Sequence, residues 1–208
     1  MTRRVLAIGA HPDDVEFGAG GTLLKHAHVG GMLHILVLTR GESGSASPEV
    51  RRIEAEEAAA YLGAGITVAE LQDTRVGEKA AIDVIETAAS MFCPDVVYTH
   101  SVHDTHQDHR ATAHASRVAL RSARKVYAYQ SPSTTEEFRP ARFPDIGLFP
   151  DEKMTLIEFH KSQSGQRRYL EREYVQATAR YWGVRAGLCE FAEALEVIID
   201  RDWSAEEF

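Results

Sequence analysis

Five of the ten histidines in this 208-residue chain fall between positions 100 and 114: His100, His103, His106, His109 and His114, with Asp104 and Asp108 among them. A second polar group, His11-Pro12-Asp13-Asp14, directly follows the apolar run Val5-Leu6-Ala7-Ile8-Gly9-Ala10. Two neutral imidazoles and one carboxylate, with a coordination position left open, are a usual donor set for catalytic zinc. The same set suits ferrous iron. A zinc ion held this way lowers the pKa of a bound water and polarises a carbonyl oxygen. A second carboxylate beside the ligands can take the proton from that water. Asp13 and Asp14 are adjacent, so they cannot point the same way along one turn. One binding metal and the other facing the water is the division of work the dipeptide predicts. Each group has a bland reading alone, as a polar turn or a solvated helix end. Together they favour metal binding.

The elements around these groups decide whether they meet. Val5–Ala10 is a short apolar run closed by a turn signal, and so a buried strand. Gly20–Val29 reads as a helix stopped by Gly30-Gly31, Leu33–Thr39 as a strand, and 40–48 as a Gly- and Ser-rich loop. Glu49–Leu62 is a helix ending at Gly63, rich in Ala and Glu. Ile66–Leu71 follows as a strand, Lys79–Phe92 as a helix stopped by Pro94, and Asp95–His100 as a strand. Gln107–Ser122 is a helix and Val126–Gln130 a strand. Ser131–Pro150 holds four of the seven prolines and reads as an irregular excursion, a lid or subunit contact. Asp151–Ser162 and Gln166–Tyr181 are helical, the latter closed by Gly183 and Gly187. Phe191–Ile199 fits a strand or a helix.

This alternation predicts an α/β fold: a Rossmann-like three-layer sandwich with a mostly parallel central sheet and helices on both faces, residues 1–208 forming one domain. Open parallel sheets bind ligands at the carboxyl ends of their strands. His11 stands at that end of the first strand, and the histidine cluster follows the strand ending at His100. Both groups therefore reach one rim of the sheet.

Composition narrows the partners. The formal net charge is −8 and the pI about 5.7, which argues against nucleic acid. The one basic cluster, Arg117 to Lys125, reads as a solvated helix end. No apolar run approaches the ~20 residues of a membrane span, and no cleavage site follows the N-terminal apolar stretch. Cys93 and Cys189 form no CxxC pair and read as free thiols of a cytoplasmic protein. Gly18-Ala19-Gly20-Gly21 fails the dinucleotide pattern because position 23 is Leu. Gly41-Glu42-Ser43-Gly44-Ser45 fails the nucleophile elbow at Ser45. His26, His28 and His34 read as partly exposed, His114 as off the helix face of His109, and His160 as structural. His100 and His103 lie near the site.

The polar motifs resemble those of the LmbE-like (PIG-L) family of zinc-dependent N-deacetylases. Residues His11 to Thr22 (HPDDVEFGAGGT) are similar to its opening motif, and Leu38-Thr39-Arg40-Gly41-Glu42-Ser43-Gly44 to its second block. Arg51, Glu54, Ala59, Leu62 and Gly63 fit the helix after it. His106-Gln107-Asp108-His109 resembles the HPDH-like motif, with Gln107 in place of the commoner proline. Asp145-Ile146, then Lys153, His160, Ser162 and Gln163, then Ala192-Glu193-Ala194 look like its C-terminal features. The similarity spans roughly residues 4–200.

The resemblance implies one zinc ion per chain on His11, Asp14 and His109, with ferrous iron as the alternative metal. It implies Asp13 as general base and as the acid that returns a proton to the leaving amine. His106 would stabilise the oxyanion as an imidazolium, Asp108 would orient His106 and raise its pKa, and Arg51 would contact substrate. The implied partner is a small N-acyl compound, foremost an N-acetylated amino sugar or glycoside of thiol or antibiotic biosynthesis, and the chain would form a homo-oligomer. Selectivity would come from 40–48, 131–150 and the C-terminal segment. The competing reading is a metal-binding or regulatory protein that keeps the fold without turnover.

Overall fold

The hydrophobic alternation of the first strand sorts the core into two layers. In the computed structural model, which describes residues 2–44, 46–187 and 189–201, β1 (Arg4–Gly9) sends Val5 and Ala7 to one face and Leu6 and Ile8 to the other. Ser45 of the rejected nucleophile pattern lies outside the described residues, as do Met1, Leu188 and residues 202–208.

The chain continues through α1 (Asp14–His28), β2 (Met32–Thr39), α2 (Pro48–Leu62), β3 (Gly65–Leu71), α3 (Glu78–Phe92), β4 (Val96–His100), α4 (Gln107–Ala119) and β5 (Lys125–Tyr129). After a long excursion come α5 (Pro150–Glu158), α6 (Lys161–Ser164), a single 3-10 turn (Arg168–Leu170), α7 (Arg172–Ala186) and β6 (Leu195–Asp200). The six strands lie in the order β3-β2-β1-β4-β5-β6. The first five are parallel, and β6 is antiparallel to β5. Val15, Ala19 and Leu23 of α1, Ala59 and Leu62 of α2 and Leu156 of α5 cover one face. Ala81 and Ile85 of α3 and Ala115 of α4 cover the other. This is the expected three-layer sandwich. Each fully buried Leu or Ile contributes about 2 kcal/mol, enough in aggregate to hold polar groups in place at the rim.

Local signals set most helix ends. Ser47 caps α2 by accepting from the Val50 N–H at 3.3 Å, Pro48 occupies its first turn, and Gly63 closes it in the left-handed region at φ 71°. Helix α1 starts six residues earlier than Gly20, so Gly18, Gly20 and Gly21 lie inside it. Those glycines are there for close approach. A Cβ on Gly18 would sit 2.1 Å from the Tyr129 ring, and one on Gly21 2.8 Å from the Ile146 side chain. The contact outweighs the cost of a helical glycine, about 1 kcal/mol.

Other boundaries move for tertiary reasons. Helix α4 ends at Ala119 rather than Ser122. The expected helix 151–162 breaks at Phe159-His160 into α5 and α6, and the following helix shifts to 172–186. Gly183 stays inside α7, where a Cβ would meet the Glu190 backbone at 2.5 Å. The ambiguous C-terminal segment is strand β6, because pairing with β5 gives its backbone partners from Leu195↔Tyr129 to Asp200↔Lys125. Among the described residues no helix is long and apolar enough to cross a membrane.

Candidate active site at the carboxyl edge of the sheet

Strand order reverses direction between β1 and β4. From β1 the chain moves outward to β2 and β3, and from β4 outward to β5 and β6. The connections after β1 and β4 therefore leave on opposite sides and open a crevice at their carboxyl ends. The β1–α1 turn supplies His11, Asp13 and Asp14. The segment after β3 supplies Asp73, the start of α4 supplies His106, Asp108 and His109, and the segment after β5 supplies Ser131 and Ser133. All of these but Asp108 and Ser131, which lie just behind, line a cavity of about 360 Å³ whose wall also includes Phe17, Arg51, Thr74, Gln163, Arg167 and Tyr169.

Asp14 stands between the two expected histidine ligands. Its Oδ2 is 3.3 Å from His11 Nδ1, and its Oδ1 is 3.3 Å from His109 Nε2. Oδ2 also accepts from the His11 backbone N–H at 2.7 Å. As the first residue of α1, Asp14 sits where the helix dipole favours negative charge. Each imidazole turns its other nitrogen to further carboxylates. His11 Nε2 lies 3.1 Å from Asp73 Oδ1 and 3.2 Å from Asp108 Oδ2. His109 Nδ1 lies 3.0 Å from Asp104 Oδ2. Asp104 in turn accepts from the Ser131 hydroxyl and, at 2.7 Å, from the Ser133 hydroxyl.

Metal-binding histidines almost always donate their second nitrogen to a carboxylate or carbonyl, which sets tautomer and ring orientation. His11 and His109 both show that arrangement. Three donor triplets have ligand atoms within 4.8 Å of one another: His11/His106/His109, Asp14/His100/His109 and His11/Asp73/Asp108. The expected set of His11, Asp14 and His109 is spread over all three, joined by the two contacts of Asp14. The residues present fit a divalent cation.

The electrostatics run the same way. Burial alone pushes His11 toward the neutral form, but Asp108, Asp14 and Asp73 outweigh it and hold its pKa well above 6.5. For His109 burial is outweighed by Asp14 and Asp104, and the pKa rises to about 9. Burial would raise Asp14, yet His109 and His100 hold it well below the usual carboxylate range. Positive charge on these imidazoles is favoured, as it would be on a cation between them.

Asp13 differs from its neighbour. Its backbone occupies the left-handed region at φ 104°, uncommon for a non-glycine residue and a form of strain found at functional sites. Its carboxylate lies on the cavity wall beside Arg51. Burial raises its pKa to about 6, against the opposing pull of Arg51. Arg51 Nη2 is 3.5 Å from Asp13 Oδ1 and donates to the Pro12 carbonyl at 2.6 Å, while Nη1 donates to the Gly41 carbonyl at 3.2 Å.

The expected pairing of Asp108 with His106 is not found. The Asp108 carboxylate is taken by His11 and by the backbone N–H groups of Thr74 at 2.7 Å and Val76 at 3.1 Å. His106 caps α4 instead: its Nδ1 accepts from the Asp108 backbone N–H at 3.2 Å. An accepting Nδ1 places the proton on Nε2, so the ring is neutral. Burial, with His109 and His11 nearby, lowers its pKa below 6.5. The imidazolium implied by the resemblance is not favoured: Asp108 still pulls the His106 pKa up, but burial, His109 and His11 outweigh it.

Of the remaining histidines, His100 lies behind the site. Its Nε2 accepts from the Ala10 N–H at 3.1 Å and lies 3.0 Å from Asp14 Oδ2, and its ring stacks on His109 at 4.0 Å. His103 turns away toward Glu137 and Glu196. His160 is buried 3.4 Å from Glu16 Oε1. Asp73, Tyr169 and Arg167 also line the cavity, outside the motifs that point to the site. For Asp73 the one available signal is a carboxylate just past the end of a parallel strand. Tyr127 and Tyr129 lie in β5, as expected of the strand there: Tyr127 donates to Asp200 and Tyr129 to the Ile8 carbonyl.

Residues 6–120 match the PIG-L family model, described as GlcNAc-PI de-N-acetylase. An uncharacterized deacetylase of Escherichia coli K12, YaiS, is 35% identical over 167 residues, covering 76% of this chain and 90% of the relative. Diacetylchitobiose deacetylase of Thermococcus kodakarensis is 28% identical over 228 residues, covering 94% of this chain and 83% of the relative. Among solved structures, GalB, the 4-carboxy-2-hydroxymuconate hydratase of Pseudomonas putida KT2440, superposes with a TM-score of 0.83 at 27% identity. That match covers 97% of this chain and 98% of the hydratase.

Proposed function

The chain belongs to the PIG-L (LmbE-like) family, and from that membership we propose that it is a metal-dependent hydrolase removing the acetyl group from the nitrogen of an amino sugar or a glycoside. His11, Asp14 and His109 would hold the metal, with zinc the first choice and ferrous iron the second. When bound, the ion supplies Lewis acidity, which polarises the acyl oxygen and acidifies water.

The protein's own groups do the rest. Asp13 takes the proton from the attacking water, a task suited to a carboxyl raised to about 6 at neutral pH. Arg51 braces that carboxylate and lies close enough to the cavity to contact substrate. The Nε2–H of His106 donates to the oxygen that becomes negative as the carbonyl carbon turns tetrahedral. Asp13 then returns the proton to the departing nitrogen, and acetate and a free amine result. Asp73 and Asp108 hold the His11 ring, and Asp104, fixed by Ser131 and Ser133, holds the His109 ring.

The observation that carries this reading is the contrast between adjacent carboxylates. Asp14 is held ionised between two histidines, while Asp13 is turned to the cavity wall with its proton affinity raised. The non-catalytic alternative gives no reason for that strained turn. The test is metal content and amine release from N-acetylglucosamine and diacetylchitobiose by the wild type and His109→Ala. About one metal per chain in the wild type, lost in the variant together with amine release, supports the reading. Metal bound equally by both would remove His109 from the ligand set.

A second reading, hydration of a carbon–carbon double bond in an unsaturated acid, is favoured by the nearly full-length likeness to the hydratase. It would use the same water and the same base. Loss of the absorbance of 4-carboxy-2-hydroxymuconate with no amine release from acetamido sugars would decide for it.

A further inference from the structure

The carboxylates that line the cavity are all committed. Asp13 is braced by Arg51, and Asp14 faces His11, His100 and His109. Asp73 is shared by His11 and the Ser43 N–H. Asp108, just behind the wall, is taken by His11 and two backbone N–H groups. Yet the same wall contains a second guanidinium, that of Arg167. Its side chain makes no ion pair or hydrogen bond among the described residues, while its backbone N–H is tied to the Gln163 carbonyl at 3.2 Å.

Surface arginines away from the cavity divide: Arg117 and Arg168 likewise make no side-chain ion pair or hydrogen bond among the described residues, whereas others pair with carboxylates. Arg142 lies 2.7 Å from Asp200, Arg172 lies 2.7 Å from Asp151, and Arg180 pairs with Glu190. Arg167 is exposed where it lines the cavity, and its place there, on the same wall as Asp13 and with no carboxylate of its own, points to a ligand.

Two residues further on, Tyr169 lines the same cavity, its ring edge-on to Phe17 at 6.1 Å. Its hydroxyl has no hydrogen-bond partner among the described residues. Burial, with Asp13 next in effect, pushes its pKa up to about 12, so it stays protonated and able to donate. A guanidinium and a phenol hydroxyl, both short of acceptors, form a donor pair suited to an oxyanion.

We propose that the substrate carries an anionic substituent, a carboxylate or a phosphate, received by Arg167 and the Tyr169 hydroxyl while its acyl group faces Asp13 and His106. The turnover arm of the test rests on the deacetylase reading, and the binding arm does not. Metal-loaded wild type and Arg167→Met would be titrated by calorimetry with glucosamine and glucosamine 6-phosphate. They would then be assayed with N-acetylglucosamine, N-acetylglucosamine 6-phosphate and N-acetylmuramic acid, which separates phosphate from carboxylate.

The expected result is tighter binding of the phosphorylated ligand by the wild type and a KM at least about tenfold lower for one of the two acids than for the neutral sugar. Arg167→Met should erase that preference through KM with little change in kcat. Arg167→Lys should restore part of it, since a point charge replaces the fork. Equal binding of charged and neutral ligands, or a preference unchanged in Arg167→Met, would overturn the proposal and leave the deacetylase reading intact. Anion-selective binding without amine release from any acetamido compound would do the reverse.

Discussion

Two pairs of histidines, one toward each end of this sheet, have opposite fates. At the carboxyl edge, His11 and His109 face Asp14, Asp73, Asp104 and Asp108, and both are pushed toward the charged form. Toward the amino edge, His26 meets the Tyr98 hydroxyl at 2.9 Å and His34 meets the Thr67 hydroxyl at 3.0 Å. There burial wins: His34 is lowered, and His26 falls to about 4 with Arg3 and Lys25 adding to the effect. Every one of these rings is at least partly buried. For these four the carboxylates decide the outcome, whereas His100 and His106, at the carboxyl edge too, are lowered by burial and by His109 despite the acids near them.

The strongest way to break that comparison is to empty the carboxylate-rich end. His109→Ala is expected to lose the metal and with it all measurable turnover, whereas His26→Gln should retain both. Metal analysis and an amine-release assay on the two variants check this. Next in size, Asp13→Ala should cost about 10²–10⁴ in kcat while metal content stays at the wild-type level. Loss of metal in that variant would merge the two aspartates into one role and undo the division between them.

Protonation sharpens the comparison further. In the metal-free protein His109 has a folded pKa of about 9 against 6.5 unfolded. Its contribution to stability is therefore full below about 6.5 and is lost as pH rises through about 9. A metal must displace that proton, so apparent affinity should fall by about tenfold per pH unit per displaced proton as pH drops from 8 to 6. Titrations in buffers of different ionisation enthalpy measure the proton released. Asp104→Asn, which keeps the shape but removes the charge behind His109, should weaken metal binding by about 10–100-fold and flatten that pH dependence.

The smallest effect belongs to the other end. His26 has a folded pKa of about 4, below 6.5, so its contribution is present above about 6.5 and is lost as pH falls toward 4. His26→Gln should soften the acid limb of the denaturation curve by about 1 kcal/mol or less, the opposite sign from His109.

Much of this was legible before folding was considered. The alternation of apolar strands with helices whose ends are marked by Gly63 and Gly187 encodes the three-layer sandwich, since those signals are local. His11 and Asp14 lie within one turn, and His109 lies in the first turn of α4, the helix after β4, so their chemistry could be read from spacing. The start of α1 could not, because its glycines answer to Tyr129 and Ile146, more than a hundred residues away. Nor could β6, whose identity as a strand depends on the open edge of β5.

Residue types and their spacing show which groups could bind a metal and which rim of the sheet they would reach. Tertiary structure alone decided their partners. Asp73 reaches His11 from beyond the edge strand β3. Asp108 turns to that same histidine rather than to His106, which lies only two residues from it. Arg167 arrives from the C-terminal segment with its charge unmatched. Charge states and hydrogen-bond roles are set by whatever the fold places within about 4 Å, and at these positions that neighbour comes from a distant part of the chain.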